Sequence, residues 1–289
     1  MSVEVDIRKK FGNFCLSMRF ISEENRIGIL GASGCGKTMT LRCIAGIETP
    51  DEGKIVIGDN VFFDSEKKIN LPVRERKIGY LFQNYALFPN MDVETNIGIG
   101  IREKGKEKQK KVETLIKKFC LTGLEKRYPS ELSGGQQQRT ALARILACDP
   151  KMILLDEPFS ALDGFLRENL QEEMQEILRD YSGNVLMVSH NRDEIYRFSQ
   201  KLLIMDQGKC LMEGGVREIF HNPVKKEAAR LTGCKNIASI QKTGEYEIWV
   251  EDWKMRLKTR ELVLERHNYI GIRAHDLREE KAEIGRAHV

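Results

Sequence analysis

The segment GASGCGKT, Gly31 to Thr38, decides the fold of this chain. It follows an apolar stretch that ends in RIGIL and precedes the stretch KTMTLRCIAG, so we predict a strand, a glycine-rich turn and a helix. Its spacing fits the phosphate-loop pattern G-x-x-x-x-G-K-[ST]. Backbone N–H groups of such a turn surround phosphate oxygens, and the helix N-terminus adds the positive end of its dipole. The segment therefore predicts a phosphate-binding site on an α/β fold.

Two residues of this turn add side-chain chemistry to the backbone donors. Lys37 is placed to meet β- and γ-phosphate oxygens, and Thr38 to offer its hydroxyl to Mg²⁺. A chance glycine-rich turn is the alternative interpretation, and the flanking strand and helix argue against it. The candidate nucleotide-binding residues of the turn are Gly31, Ala32, Ser33, Gly34, Cys35, Gly36, Lys37 and Thr38.

Two carboxylates follow a second apolar strand, MILLD at 152–156. Asp156 and Glu157 stand at its carboxyl end, which is the edge where parallel α/β sheets bind ligands. We expect Asp156 to hold the Mg²⁺ shell, and Glu157 to orient or deprotonate the water that attacks the γ-phosphate. A third strand, NVLMVSH at 184–190, follows a helix predicted at about 165–180. In isolation, a pair of solvated strand-end acids would be the simpler explanation.

The segment LSGGQQQR, Leu132 to Arg139, resembles the signature sequence of ABC ATPases. Ser133 can cap a helix whose first turn holds two glycines, which leaves bare backbone N–H groups at a positive helix end. The resemblance implies that this second phosphate site faces the ATP held by the phosphate loop of the opposite subunit. It therefore implies a homodimer that buries two nucleotides head to tail. The candidate residues of this site are Ser133, Gly134, Gly135 and Gln136.

Further matches follow in the order found in the ABC family: Gln83 in YLFQNYALFP, Asp163 in SALD and His190 in MVSHNRDE. The resemblance implies that Gln83 reaches the Mg²⁺ and the water and reports on the membrane partner. It implies that Asp163 couples the two sites and that His190 contacts the γ-phosphate. Alone, each would be an ordinary polar residue. The expected cofactors are ATP and Mg²⁺, the catalytic residues Glu157, His190 and Gln83, and the metal-binding residues Thr38, Gln83 and Asp156.

An aromatic face for adenine is expected just before the second strand, as the family resemblance implies. Phe11 in KKFGNF matches best, and Phe14 is the alternative. A phenylalanine near the end of a strand is also a common core residue.

The composition of the 289 residues is that of a globular protein, with 41% hydrophobic and 31% charged residues. The net charge of +4 is too small to predict nucleic-acid binding. We find no apolar core of a signal peptide and no run long enough to span a bilayer, so we expect a cytoplasmic location. The seven cysteines include no CxxC pair, which supports neither a disulfide framework nor a zinc site.

Two domains are expected. The first, residues 1–233, is a P-loop NTPase core of ABC type with an inserted helical subdomain at about 84–148, whose lysine-rich stretch we interpret as a solvated helix face. The second, 234–289, contains the alternating segments YEIWVED, KMRLK and YIGIRA, and resembles the oligonucleotide-fold-like β domain of bacterial importers. The final EIGRAHV, 283–289, can be back-translated to a common sequencing-adapter read. We therefore expect a truncated gene product with a partial β domain.

The ABC resemblance covers about residues 3–232 and implies an ATP-hydrolysing importer subunit, peripheral on the cytoplasmic face of the membrane. It implies integral membrane permease subunits as partners, an indirect periplasmic or extracellular oxyanion-binding protein, and no nucleic acid. The segments GASGCGKTMTL, VSHNRDE and LTGCKNIASI are similar to molybdate (or tungstate) importer ATPases. The alternatives are sulfate, ferric iron or polyamine import, a soluble ABC ATPase acting on ribosomes or DNA, and a regulatory module without turnover.

Overall fold

The computed structural model describes residues 1–160 and 164–273. The chain forms two compact units, Met1–Val216 and Arg217–Val289. The boundary predicted after residue 233 therefore falls within the second unit. The predicted coupling residue Asp163 and the adapter-like segment 283–289 lie outside the described residues.

An eleven-stranded sheet forms the centre of the first unit as far as it is described, in the order β6-β5-β4-β1-β2-β11-β10-β3-β9-β8-β7. Five of these strands, β10, β3, β9, β8 and β7, are neighbours and run parallel. The strands are β1 (Val3–Phe11), β2 (Phe14–Ser22), β3 (Arg26–Gly31), β4 (Glu52–Ile57), β5 (Asn60–Asp64), β6 (Ile69–Asn70), β7 (Ile78–Leu81), β8 (Met152–Asp156), β9 (Asn184–Ser189), β10 (Lys201–Asp206) and β11 (Lys209–Gly215).

The hydrophobic pattern explains which strands lie at the centre. Every residue of β8 and β9 is buried, as expected for parallel strands covered on both faces. In β1, by contrast, Val3, Val5 and Ile7 are buried and the residues between them are not, so that β1 has one core face. The helices of this unit are α1 (Lys37–Ala45), α2 (Val73–Arg76), α3 (Val93–Gly98), α4 (Gly105–Lys118), α5 (Gly134–Ala147), α6 (Gly164–Arg179) and α7 (Arg192–Phe198).

The segment between β7 and β8 is mostly helical, as its sequence pattern predicts. On α4 and just after it, Val112, Ile116 and Phe119 are buried and Leu115 is half-buried, whereas most of the lysines are exposed. The lysine-rich stretch is therefore one side of an amphipathic helix.

A buried arginine holds the C-terminal end of α1. Arg76 is 1% exposed, and its Nη1 donates to the carbonyl oxygens of Cys43 and Ile44 at 3.0 and 2.8 Å. Burial lowers the pKa of the guanidinium to about 10, which still leaves it charged at neutral pH. A cation is favourable at this end of a helix because carbonyl groups there lack intrahelical partners.

The second unit contains a four-stranded sheet in its described part, in the order β14-β13-β12-β15. This confirms the predicted β-rich domain. Its core contains Ala238, Ile248, Val250, Leu257, Val263 and Ile270. The guanidinium of Arg273 donates to the carbonyl oxygen of Phe220, which joins a helix of this unit to the end of the sheet. The elements are α8 (Val216–His221), α9 (Lys226–Leu231), β12 (Asn236–Gly244), β13 (Glu247–Val250), β14 (Met255–Lys258) and β15 (Tyr269–Ile272).

Candidate functional site

The carboxyl ends of four neighbouring parallel strands carry most of the predicted site residues. The phosphate loop follows β3, Gln83 follows β7, Asp156 and Glu157 end and follow β8, and His190 follows β9. The strand order β3-β9-β8-β7 places these ends side by side. This is the edge at which open α/β sheets bind ligands.

The phosphate loop needs glycine for two separate reasons. Gly36, at the start of α1, has a φ of +108°, a backbone conformation that residues with a side chain rarely adopt. At Gly31 a Cβ would lie 2.4 Å from the carbonyl oxygen of Met205, so only glycine fits beside β10. Cys35 is buried in the same turn, and burial raises the pKa of its thiol. It is therefore a neutral packing residue at neutral pH.

Lys37 is buried at the start of α1, with 4% of its surface exposed. Its Nζ donates to the carbonyl oxygens of Gly31 and Ala32 at 2.9 and 3.0 Å. Its Nζ also lies 3.4 Å from Oε1 of Glu157. A buried ammonium is thus held beside the loop by two carbonyls and one carboxylate, which offsets its desolvation.

Asp156 and Thr38 are in direct contact. The hydroxyl of Thr38 donates to Oδ1 of Asp156 at 2.8 Å, and the hydroxyl of Tyr80 donates to Oδ2 at 2.9 Å. A hydroxyl beside a carboxylate is an oxygen donor set that suits Mg²⁺. Among the described residues no group of three or more His, Cys, Asp or Glu side chains could hold a metal ion. A Mg²⁺ ion commonly has one or two protein ligands and takes the others from water and phosphate, and the Thr38–Asp156 pair fits that pattern.

The carboxylate of Glu157 is held at both oxygens. Oε1 faces Lys37, and Oε2 lies 3.0 Å from Nδ1 of His190. The Glu157 backbone has a φ of +45°, which is uncommon for a residue with a side chain, and its N–H donates to the carbonyl oxygen of Val188. Strained backbone of this kind concentrates at functional sites.

Gln83 is connected to Glu157 through a serine. Its Nε2 donates to Oγ of Ser160 at 3.1 Å, and Ser160 in turn donates to the Glu157 carbonyl oxygen at 3.0 Å. No hydrogen bond within 1–160 and 164–273 joins Gln83 to Thr38 or Asp156. The structure therefore links Gln83, through Ser160, to the backbone of Glu157 and not to the Thr38–Asp156 pair.

The signature segment forms the start of α5, where Ser133 is exposed and Gly135 is buried. The Ser133 hydroxyl caps α5 by accepting from the Gln136 N–H at 3.3 Å, and Oε1 of Gln136 accepts from the Ser133 N–H at 2.8 Å. This reciprocal arrangement is a capping box. In the part of the chain that the structure describes, no hydrogen bond or ion pair joins Ser133–Gln136 to the phosphate loop.

The two aromatic candidates lie opposite each other, because Phe11 and Phe14 are paired in the β1–β2 register. Phe11 is half-buried, with Nζ of Lys9 5.4 Å from its ring centroid. Phe14 packs against the core, and its ring borders the phosphate loop at Gly36.

Sequence reasoning missed three supporting groups: Tyr80, Ser160 and the pair Ser189–Glu194. The hydroxyl of Ser189 donates to Oε2 of Glu194 at 2.6 Å and accepts from the Asn191 N–H, which fixes the turn that carries His190. Glu194 is 4% exposed, and burial raises the pKa of its carboxyl. The signal that could have indicated these residues is their position in the sequence, since Tyr80 lies near Gln83, Ser160 near Glu157, and Ser189 and Glu194 near His190.

Known proteins share this combination of fold and motifs. The profile of the ABC transporter family matches residues 17–160. The Fe(3+) ions import ATP-binding protein of Haemophilus influenzae is 42% identical over 208 residues, which cover 71% of this chain and 59% of that protein. The chain thus spans about three-fifths of that relative's length.

Other relatives align over more of their length. The spermidine/putrescine import ATP-binding protein of Mesoplasma florum is 36% identical over 276 residues, covering 92% of this chain and 75% of the relative. A sulfate/thiosulfate import ATP-binding protein of Rhizobium meliloti is 39% identical over 263 residues, covering 87% of this chain and 74% of that protein.

Solved structures agree with the sequence relatives. A dimeric ATP-binding cassette in a post-hydrolysis state, bound to ADP and Pi, superimposes with a TM-score of 0.62 and 27% identity, over 75% of this chain and 99% of that one. The predicted ABC-type P-loop fold is thereby confirmed. With this fold, the phosphate loop and relatives above 35% identity over most of their length, the chain belongs to the ABC transporter family.

Proposed function

We propose that this chain binds ATP with Mg²⁺, hydrolyses it as one half of a head-to-tail dimer, and thereby powers an importer. The observation that carries the proposal is the arrangement around Glu157, whose carboxylate lies between Lys37 and His190 beside the Thr38–Asp156 pair. A buried cation, a helix N-terminus and two separately held carboxylates suit phosphoryl transfer to water.

Nucleotide binding is proposed to use the phosphate loop and the N-terminus of α1. Lys37 exchanges its contacts with Glu157 and the loop carbonyls for contacts with phosphate oxygens, because phosphate carries more negative charge. Thr38 and Asp156 hold the Mg²⁺, which when bound neutralises charge on the phosphates. Phe11 stacks on adenine.

Hydrolysis is proposed to depend on Glu157. Once Lys37 faces phosphate, the Glu157 carboxylate is free to orient a water molecule and to accept its proton as the water oxygen bonds to the γ-phosphorus. The bond between that phosphorus and the β–γ bridging oxygen breaks, and ADP and phosphate leave. His190 holds Glu157 and contacts the γ-phosphate, and Gln83 links the site to the membrane partner.

The dimer is proposed to complete the site. The exposed, capped start of α5 supplies Ser133 and backbone N–H groups to the nucleotide of the partner. Asp163 couples the two sites. The dimeric state of the superimposable cassette supports this arrangement.

Import is proposed from the relatives, whose names describe import ATP-binding proteins. The chain would act at the cytoplasmic face of the membrane with permease subunits and, indirectly, a substrate-binding protein. None of the described helices is both long and apolar enough to cross a bilayer. The names given above favour ferric iron, polyamines or sulfate over the molybdate predicted from three short segments.

Uptake by the native host tests transport and substrate together. The host would carry the normal gene, Lys37→Ala, or Lys110→Ala as a control on the exposed face of α4. Labelled ferric iron, sulfate, spermidine and molybdate would be supplied separately. We expect Lys37→Ala to lower uptake of one of the first three by at least about tenfold, because the buried ammonium is lost from the phosphate site, and Lys110→Ala to have no effect.

Loss of molybdate uptake alone would restore the original substrate prediction. If all four uptakes were unchanged while the purified protein hydrolysed ATP, the soluble non-transport alternative would replace the importer proposal.

A further inference from the structure

The carboxylate of Asp156 is held by two hydroxyl donors that come from different elements. Oδ1 accepts from Thr38 on α1, and Oδ2 accepts from Tyr80 on β7. The role proposed for Thr38 and Asp156 toward Mg²⁺ accounts for the first contact. It leaves the Tyr80 contact unexplained.

Tyr80 is itself fixed on two sides. Its ring lies 4.3 Å, centroid to centroid, from the ring of Phe82. The positively charged side chain of Arg42 lies near its phenol oxygen. Arg42 is four residues after Thr38 on α1, so both side chains lie on the same face of that helix. Two hydrogen bonds to Asp156, from Thr38 and from Tyr80, thus join α1 and β7 to the end of β8.

We infer that Tyr80 is a positioning residue for the metal: its hydroxyl orients the Asp156 carboxylate so that Oδ1 and the Thr38 hydroxyl together receive the nucleotide-bound Mg²⁺. The inference rests on the proposed ATP site and deepens it. Partners that orient a metal-binding carboxylate in this way usually contribute strongly to metal affinity. Tyr80 contacts neither metal nor nucleotide in this account.

Tyr80→Phe tests the inference because it removes one oxygen atom and keeps the ring beside Phe82. The probe is Mn²⁺, whose binding in the presence of ADP is followed by electron paramagnetic resonance. We expect Mn²⁺ to bind on the order of tenfold more weakly to this variant than to the unaltered protein. Affinity for ADP in EDTA should stay the same, since the phosphate loop is untouched.

Tyr181→Phe is the matched control, since Tyr181, like Tyr80, is half-buried. Its hydroxyl donates to the carbonyl oxygen of Pro150 at 2.8 Å, near the opposite end of β8 from Asp156. This variant loses a similar hydrogen bond and should keep both affinities. If Tyr80→Phe fails to fold, Arg42→Gln serves instead and should weaken Mn²⁺ binding in the same direction by a smaller factor.

Three results would overturn the inference: Mn²⁺ binding unchanged in Tyr80→Phe, equal losses with and without metal, or an equal loss of Mn²⁺ affinity in Tyr181→Phe. Failure of the underlying proposal looks different. In that case the unaltered protein itself would bind ADP no more tightly with Mn²⁺ than in EDTA.

Discussion

At the scale of single residues, Glu157 combines backbone strain with a doubly held carboxylate. Its φ of +45° is maintained by the N–H contact to Val188, and its side chain spans the space between Lys37 and His190. Glu157 is the counter-charge of Lys37. Under the proposed function, phosphate bound at Lys37 would replace this contact and free the Glu157 carboxylate, which would link nucleotide binding to hydrolysis.

Phe11→Ala tests the least supported member of the site. If Phe11 stacks on adenine, its removal should weaken the binding of ATP and of ADP equally, by about 1–3 kcal/mol, because the stacking contact does not involve the γ-phosphate. Nucleotide titration by fluorescence measures both affinities. Phe14→Ala is the comparison, and because Phe14 packs on the core it should lower the melting temperature instead.

The stacking assignment would move to Phe14 if Phe11→Ala bound both nucleotides normally and Phe14→Ala, still folded, did not.

Residues with motif signals were predictable, and their supports were not. Lys37, Asp156, Glu157 and His190 occur in a known order along the chain, and the structure brings them together at one sheet edge. Tyr80 is 76 residues from its partner Asp156. No local pattern marks such a contact, because it depends on which strands are neighbours.

At the scale of elements, α1 is fixed at both ends. Its N-terminus emerges from the phosphate loop, and at its C-terminus the guanidinium of Arg76 donates to two carbonyl oxygens. Such a helix presents its N–H groups in one direction without reorganising when an anion arrives, and pre-orientation of this kind favours electrostatic stabilisation. The sequence predicted α1 but not the role of Arg76 at its C-terminus, because a single arginine is ordinarily a surface residue.

Helix α5 carries the prediction at this scale, which is tested by Ser133→Arg. An arginine at the cap removes the hydroxyl that accepts from the Gln136 N–H and adds bulk to the exposed helix start. We expect the variant to bind ATP at its own phosphate loop with normal affinity but to remain monomeric in ATP on size-exclusion chromatography. ATP turnover should fall with the loss of the dimer.

Ser133→Thr keeps a capping hydroxyl and is the control. A dimer of normal stability in Ser133→Arg would contradict the head-to-tail arrangement.

At the scale of the whole molecule, the parallel centre of the sheet could be predicted from the sequence. Its buried strands, such as MILLD and NVLMVS, contain continuous apolar runs. Among the antiparallel strands, β1–β2 and β4–β5 pair as local hairpins, whereas the pairing of β1 with β4 joins segments distant in sequence and could not be predicted from local patterns. The division at Val216 differs from the predicted boundary because α9 and its flanks contact the small sheet, as the Lys226–Tyr269 and Arg273–Thr232 pairs illustrate.

The transported substance is not encoded in the nucleotide site. Relatives named for ferric iron, polyamine and sulfate import match 71%, 92% and 87% of this chain. Two of the three segments behind the molybdate prediction, GASGCGKTMTL and VSHNRDE, belong to the proposed nucleotide site, whose chemistry does not depend on the imported substance. The names of the relatives support the importer class and not molybdate.

The rate of ATP hydrolysis by Glu157→Gln tests the central claim most directly. Glutamine keeps the size of the side chain and can still contact Lys37 and His190, but it cannot accept a proton from water. We predict that the variant binds ATP normally and hydrolyses it about 10²–10⁴-fold more slowly, while Glu172→Gln, an exposed carboxylate on α6, keeps the normal rate. Turnover by Glu157→Gln at the rate of the unaltered protein would contradict the assignment of Glu157 and the account of the site built on it.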